Sequence, residues 1–346
     1  MKHISCYKYF KEFGLYPIVV TRQWENKYGN QLDYIAPSEC NKSIREESEM
    51  GIIIRTPYKP NLANRILLKF GENKFVFIRR IISVYFEFMQ FIFNIGPKSG
   101  LYYGARDYIK DNQVDLIIAT GEPFVLFKYA SKLARKNNIP WVADYRDPWS
   151  HSSERSKNTL IKTFYTYMEK KTLKSVSLVI TVSDFLISLI ELPIKFLQYK
   201  VVSNGYDEEN ARKASQISQT TKGLNIAFTG SLYKWHPIKL FLEEIENIMQ
   251  QNEDFAIHIN FYGINEENFL RSLLTTLPKL QTVCNIYPKT PNVILLENLA
   301  KNNVLLLFND YSILGTKIFD YLAVRRHIIL CFSEDEEALN LKKQYF

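Results

Sequence analysis

The chain has four cysteines, Cys6, Cys40, Cys284 and Cys331, far apart and never in C-x-x-C spacing. That pattern argues against a zinc site, offers no disulfide framework and suits a reducing compartment. No metal ligand set and no cofactor are expected. The sequence also lacks G-x-G-x-x-G and Walker A loops, which removes the usual marks of dinucleotide or ATP binding. It has no G-x-S-x-G elbow and no H-E-x-x-H pair, so serine-hydrolase and zincin chemistry find no support. Internal repeats and low-complexity tracts are missing. The basic residues form no stripe with a recognisable binding motif, so nucleic acid is not an expected partner. Met1 to Phe10 carries Lys and Tyr but no apolar core, so no signal peptide is expected and a cytoplasmic location is. The most apolar stretch, Phe75 to Ile95, is interrupted by Arg79, Arg80, Glu87 and Gln90 and is too short to span a bilayer.

What is present is core-forming material. The 346 residues are 46% hydrophobic and 14% aromatic, enough for two domains with cores of their own. A formal net charge of +8 suits an anionic partner such as a phosphorylated substrate or a negatively charged membrane. The Phe75–Ile95 stretch has two readings. It is a helix packed against a sheet, or an aromatic-rich helix with Arg79 and Arg80 at one end, lying on a membrane surface. Peripheral association with the inner face of the plasma membrane is therefore carried as an expectation.

Continuous apolar runs alternate with helical segments along most of the chain, the pattern of a parallel sheet covered on both faces. The first half predicts strands at Leu15–Thr21, Gly51–Arg55, Val114–Ala119, Ile139–Ala143, Ser177–Thr181 and Tyr199–Val202, with residues 22–50 irregular. Glu208 to Lys222 is polar with almost nothing to bury and reads as a linker. A second α/β unit follows, with strands at Leu224–Phe228, Ala256–Tyr262, Thr282–Ile286, Val304–Phe308 and Ile328–Cys331. The expected organisation is a first domain over 1–207, a linker over 208–222 and a second domain over 223–346.

Ligands of open α/β sheets bind beyond the carboxyl ends of the strands. Five polar groups fall there. Thr120, Gly121 and Glu122 follow one strand and are candidate sugar or acceptor contacts, as are Asn204 and Gly205, whose simpler reading is a turn. Asp144-Tyr145-Arg146-Asp147-Pro148-Trp149 is the densest cluster. Arg146 can bind phosphate or a sugar hydroxyl, Asp144 or Asp147 can orient an acceptor hydroxyl, and Trp149 can stack on a sugar ring. The plainer reading is an Asp–Arg pair that fixes the loop. Gly230, Ser231 and Lys234 form a turn within reach of a diphosphate; His236 beside them is more often structural. Gly315, Thr316 and Lys317 open a helix whose free N–H groups and dipole favour an anion, with Lys317 adding a full charge. Asp320 falls on the same face one turn on, placed to accept from ribose hydroxyls. The plainer reading is a solvated Lys–Asp pair.

In order, Asp144-Tyr145-Arg146-Asp147-Pro148-Trp149, Thr181-Val182-Ser183-Asp184, Ser203-Asn204-Gly205-Tyr206-Asp207, Thr229-Gly230-Ser231-Leu232-Tyr233 and Gly315-Thr316-Lys317-x-x-Asp320-Tyr321-Leu322-Ala323 resemble the family-4 glycosyltransferases of GT-B fold. The likeness is nearest to bacterial members that build capsule, exopolysaccharide or lipopolysaccharide. It implies two Rossmann-like α/β domains with parallel sheets facing across a cleft, both ends of the chain being short for the family. It also implies transfer of a hexosyl group from a nucleotide-diphosphate sugar to a glycan or lipid-linked acceptor, with retention and without a metal ion. By the same resemblance Lys317 binds the diphosphate, Asp320 the ribose, and the Gly230–Lys234 loop lies over the phosphates. Asp144 and Arg146 sit near the transferred sugar. Two other readings stay open: a non-catalytic GT-B-like nucleotide- or glycan-binding partner subunit, and a nucleotide-sugar epimerase.

Overall fold

The computed structural model describes residues 9–24, 31–151, 159–191, 198–220, 222–233, 236–252, 254–308 and 316–331, with residues 339 and 343. The chain divides into two compact units, Met1–Val202 and Ser203–Phe346. Each is an α/β unit built on parallel strands.

Unit 1 holds two sheets. In one, β1 (Ile18–Arg22) pairs parallel with β3 (Gly51–Thr56), which pairs antiparallel with β2 (Ile44–Ser48). The sequence predicts residues 22–50 to be irregular, yet β2 lies within them. All five of its residues are exposed, so it carries no burial pattern to betray it, and only its ladder with β3 defines it. The second sheet is parallel and in chain order: β4 (Ile117–Thr120), β5 (Trp141–Tyr145), β6 (Leu178–Thr181) and β7 (Tyr199–Val201). Around them lie helices α1 (Leu62–Phe70), α2 (Val76–Ile92), α3 (Ser99–Asp111), α4 (Val125–Asn137), α5 (Thr159–Leu173) and α6 (Asp184–Glu191), with short 3-10 turns at Lys11–Phe13 and Gln31–Ile35. Its core is aromatic: Phe91, Tyr102, Phe124, Phe127, Trp141, Tyr145 and Trp149 pack as one cluster.

Unit 2 opens with the segment expected to be a linker. Residues Glu208–Ser215 form helix α7, begun by Asp207, whose Oδ1 accepts from the Asn210 N–H at 3.1 Å. Only Ala211 and Ala214 are buried, two methyl groups set against the helices that follow, too little apolar pattern to register in sequence. Asn204 and Gly205, placed by sequence in the first domain, belong to this unit. The remaining elements are β8 (Leu224–Thr229), α8 (Ile238–Gln251), β9 (Ile257–Tyr262), α9 (Glu267–Leu274), α10 (Pro278–Val283), β10 (Cys284–Tyr287), α11 (Asn292–Ala300), β11 (Val304–Phe308), α12 (Lys317–Val324) and β12 (His327–Cys331). The sheet order is β10-β9-β8-β11-β12, all parallel. From β8 the chain winds outward one way through β9 and β10, then returns to β11 on the other side. The topological switch point of unit 2 therefore lies between β8 and β11, where doubly wound sheets bind ligands.

Candidate active site

In unit 2 the switch point is flanked by Gly230, just after β8, and by α12, which follows β11. Gly230 has φ +104°, and a Cβ placed there would lie 3.0 Å from Lys317 Cε and 3.3 Å from Lys317 Cγ. Its backbone conformation favours glycine, and the Lys317 stem packs closely against it. Lys317 is the first residue of α12, and its Nζ lies 3.7 Å from Asp320 Oδ2, one turn on. The two side chains share a face, as the spacing predicts, and both keep part of their surface in solvent. Thr316 is exposed at the N-cap and makes no side-chain cap bond, so the opening amide groups of α12 stay uncovered by its hydroxyl. Ser231 is exposed as well. Lys234 and Gly315 lie outside the described residues. His236 is taken up structurally: its Nδ1 accepts from the Tyr233 N–H at 3.3 Å and its ring packs 5.1 Å from that of Phe308.

Sequence reasoning missed the residue that holds this arrangement together. Tyr321, fully buried, donates its hydroxyl proton to Leu306 O at 2.9 Å in β11 and accepts from Thr229 N–H at 3.1 Å in β8. Burial pushes its phenol far above the ordinary value, so it stays neutral. Thr229 Oγ1 in turn donates to Tyr262 O at 3.1 Å in β9. One phenol therefore ties α12 to both strands of the switch point. The available signal was a tyrosine among the apolar residues of α12, since a buried hydroxyl needs partners. Tyr321→Phe is expected to cost about 1–3 kcal/mol, because it strips the acceptor from the Thr229 N–H. A lowered melting transition with unchanged far-UV circular dichroism is the expected result.

In unit 1 Asp144 is the last but one residue of β5, its side chain buried. Its carboxylate accepts from Thr120 Oγ1 at 3.0 Å, across the β4–β5 pair, and from Arg146 Nε at 3.0 Å. Its backbone oxygen accepts from Gly121 N–H at 3.0 Å. Thr120, Gly121, Asp144 and Arg146 are thus one cluster at the carboxyl ends of adjacent strands. Arg146 donates from Nε to the Asp144 carboxylate and remains a third exposed. The loop beyond is held from beneath by buried Glu169 of α5, which accepts from Tyr145 OH at 2.7 Å and from Ser150 N–H at 3.3 Å. Asp147 is exposed beyond this cluster.

Two expected sugar contacts are structural instead. Trp149 is 1% exposed, its indole stacked on Phe124 at 5.2 Å and on Phe91 at 5.5 Å, so its ring belongs to the aromatic core and reaches a ligand only as part of the wall of the unit 1 cavity. Its place beside charged residues in the chain suggested a platform; the aromatic core of unit 1 claims it. Gly121 is buried, and a Cβ there would fall 2.6 Å from the Phe124 ring and 3.0 Å from that of Phe127. It is a packing glycine. Gly205, by contrast, has open space around it and does not need the left-handed region, while Asn204 beside it is half-buried.

Glu122 is exposed and opens onto a cavity of about 440 Å³ in unit 1. Glu87 and Gln90 of α2, Lys98 and Tyr165 also line it. Glu87 accepts from Tyr165 OH and from Gln90 Nε2, both at 2.8 Å. Carboxylate and amide groups set beside aromatic rings suit a ligand rich in hydroxyls, and the volume is that of a small-molecule site. Glu87, Gln90 and Lys98 had no motif to mark them; the fold alone brings them to Glu122. Among the described residues no group of histidine, cysteine and carboxylate side chains is arranged to hold a metal ion.

Comparison with known proteins bears on both units and identifies the fold as GT-B. Residues 29–210, just over half of the chain, match the family model described as Glycosyltransferase Family 4. The chain is similar in structure to a sucrose-phosphate synthase from Thermosynechococcus elongatus, at TM-score 0.60 and 12% identity, over 95% of this chain and 74% of that one. It is similar also to a trehalose-6-phosphate protein from E. coli bound with UDP-2-fluoro glucose, at TM-score 0.58 and 10% identity, over 90% and 84% of the two chains. A trehalose-6-phosphate synthase described in connection with glycosyl transfer with retention gives TM-score 0.56 and 10% identity, over 93% and 85%. No curated protein sequence matches.

Proposed function

The chain belongs to glycosyltransferase family 4, and from that premise we propose that it moves a hexosyl group from a nucleotide-diphosphate sugar to an acceptor hydroxyl, with retention, in surface polysaccharide or glycolipid synthesis. The observation that carries the reading lies outside the family match, at the switch point of unit 2. There Lys317, packed on Gly230, and Asp320 stand one helical turn apart on the first turn of α12. A diphosphate at the helix start meets the lysine charge and the opening amide groups. A ribose one turn on meets a carboxylate that accepts from its hydroxyls. As the bond from the sugar to the diphosphate breaks, charge grows on the departing phosphate. Fixed positive groups there stabilise the transition state more than the ground state. The UDP sugar bound by the E. coli protein of similar fold supports a nucleotide-sugar donor. The retention studied in the trehalose-6-phosphate synthase supports the stereochemistry.

In unit 1 we assign Arg146 to the transferred sugar and its phosphate, held by Asp144, with Asp147 and Glu122 on the acceptor side. Lys317 and the α12 terminus supply the charge for which other transferases use a divalent ion, so transfer proceeds without one. The acceptor is a glycan, free or lipid-linked, and the reaction takes place in the cytoplasm.

The test is a thermal-shift series with UDP, GDP, ADP, CMP and dTDP sugars, each with and without EDTA. One nucleotide is expected to raise the melting temperature, because a ligand that binds only the folded state stabilises it. EDTA is expected to leave both that shift and transfer unchanged. No shift with any donor would overturn the donor site and favour a non-catalytic partner subunit. Conversion of the donor without an acceptor would favour an epimerase.

A further inference from the structure

Helix α2 has two halves with different surroundings. Its last turns are packed: Phe91 is buried in the aromatic core, Gln90 is buried beside it, and Phe88 meets Phe164 at 4.6 Å. Its first turns are not. Phe77 is 75% exposed, and Ile81, Val84 and Tyr85 are each more than half exposed. Those four residues fall at i, i+4, i+7 and i+8, so they form one apolar face that nothing covers among the described residues. The turn from α1 into α2 extends it. Phe70 meets Phe75 edge-on at 5.1 Å, and both rings are exposed.

The same tip is basic. From Lys69 to Ile81 the chain carries Lys69, Lys74, Arg79 and Arg80 against a single carboxylate, Glu72. Arg79 is spent on the turn itself, donating from Nε to Lys74 O at 3.0 Å and from Nη2 to Glu72 O. Lys69, Lys74 and Arg80 are exposed around the apolar face. Among the described residues no helix is long and apolar enough to cross a membrane, so this surface does not belong to a spanning segment.

We propose that the α1–α2 tip and the exposed face of α2 dock on an anionic lipid bilayer. Phe70, Phe77, Ile81 and Val84 enter the interface, and Lys69, Lys74 and Arg80 meet phosphate headgroups. Apolar side chains on a basic helix are the combination that binds at a bilayer surface. A second copy of the chain is the poorer occupant, because a two-fold contact through this face would set the same cations against each other. Glu87 and Gln90 of the unit 1 cavity lie within about two helical turns (~11 Å) of this face on the same helix. Docking therefore holds that cavity close to the bilayer surface, where a lipid-linked glycan presents its head. The docking surface does not depend on the transfer reading, and the donor thermal shift measured in parallel tells the two apart.

The experiment is co-sedimentation of the full chain with large vesicles of equimolar phosphatidylglycerol and phosphatidylcholine, beside vesicles of phosphatidylcholine alone. Pelleting is expected with the anionic vesicles only, and is expected to fade at about 1 M salt, where charges are screened beyond about 3 Å. Removing two basic residues in Lys74→Ser/Arg80→Ser is expected to weaken partition about 25-fold, roughly fivefold for each. Phe77→Ser/Ile81→Ser is expected to abolish it. All four side chains are solvent-facing, and an unchanged melting temperature checks that the variants fold. Equal pelleting on both vesicle types, or parental binding by either double variant, would overturn the proposal. So would concentration-dependent self-association that Phe77→Ser/Ile81→Ser removes, since it would assign the face to a second copy.

Discussion

Lys317→Ala is expected to lower transfer about 10²–10³-fold, the usual cost of deleting one group that stabilises developing charge, while the fold stays intact. The residue begins α12 with a partly exposed side chain, and none of the hydrogen bonds that tie the helix to β8 and β11 passes through it. The variant should therefore keep its circular dichroism and its melting temperature without ligand. What should vanish is the rise in melting temperature with the donor nucleotide, because the diphosphate loses its only full positive partner on the first turn of α12. The control is Lys317→Arg, which keeps the charge but changes its reach past Gly230; it should retain donor binding and lose part of the rate. Parental turnover by Lys317→Ala would remove the lysine from the mechanism and leave Lys317–Asp320 as a solvated surface pair.

The placement of Gly230, Lys317 and Asp320 at the unit 2 switch point was legible because these parts announce themselves locally. A glycine after a buried strand, a lysine at a helix start and a carboxylate one turn on can each be placed by period and turn chemistry. The parallel strands were legible for the same reason, since burial on both faces leaves unbroken apolar runs such as Val304–Phe308. What escaped was decided at a distance. Trp149 reads as an exposed stacking platform until Phe91 and Phe124, distant in the chain, draw it into the aromatic core. Gly121 reads as a candidate sugar or acceptor contact until the rings of Phe124 and Phe127 fill the space. The cavity around Glu87, Gln90, Lys98 and Glu122 joins a helix, a turn and a strand end that share no local pattern. Strand β2 and helix α7 bury almost nothing of their own, so only their partners define them.

The Asp144–Arg146 pair separates the two halves of the proposed reaction. Asp144→Asn keeps the shape of the side chain and an acceptor for Thr120 Oγ1, but removes the charge that fixes Arg146. Arg146 is anchored at Nε by that carboxylate and is a third exposed, so the neutral variant loosens the hold on the guanidinium. A misplaced catalytic group costs on the order of 10²-fold, and transfer is expected to fall by about that factor. The donor is held in unit 2, so its thermal shift should remain, in contrast to Lys317→Ala. Glu169, through Tyr145 and Ser150, continues to hold the loop, so unit 1 should melt close to the parent. The decisive reading is the split between binding and turnover. Loss of rate with donor binding intact places the pair at the chemistry. A fall in melting temperature with rate unchanged in the folded fraction would make it a brace for the loop and nothing more.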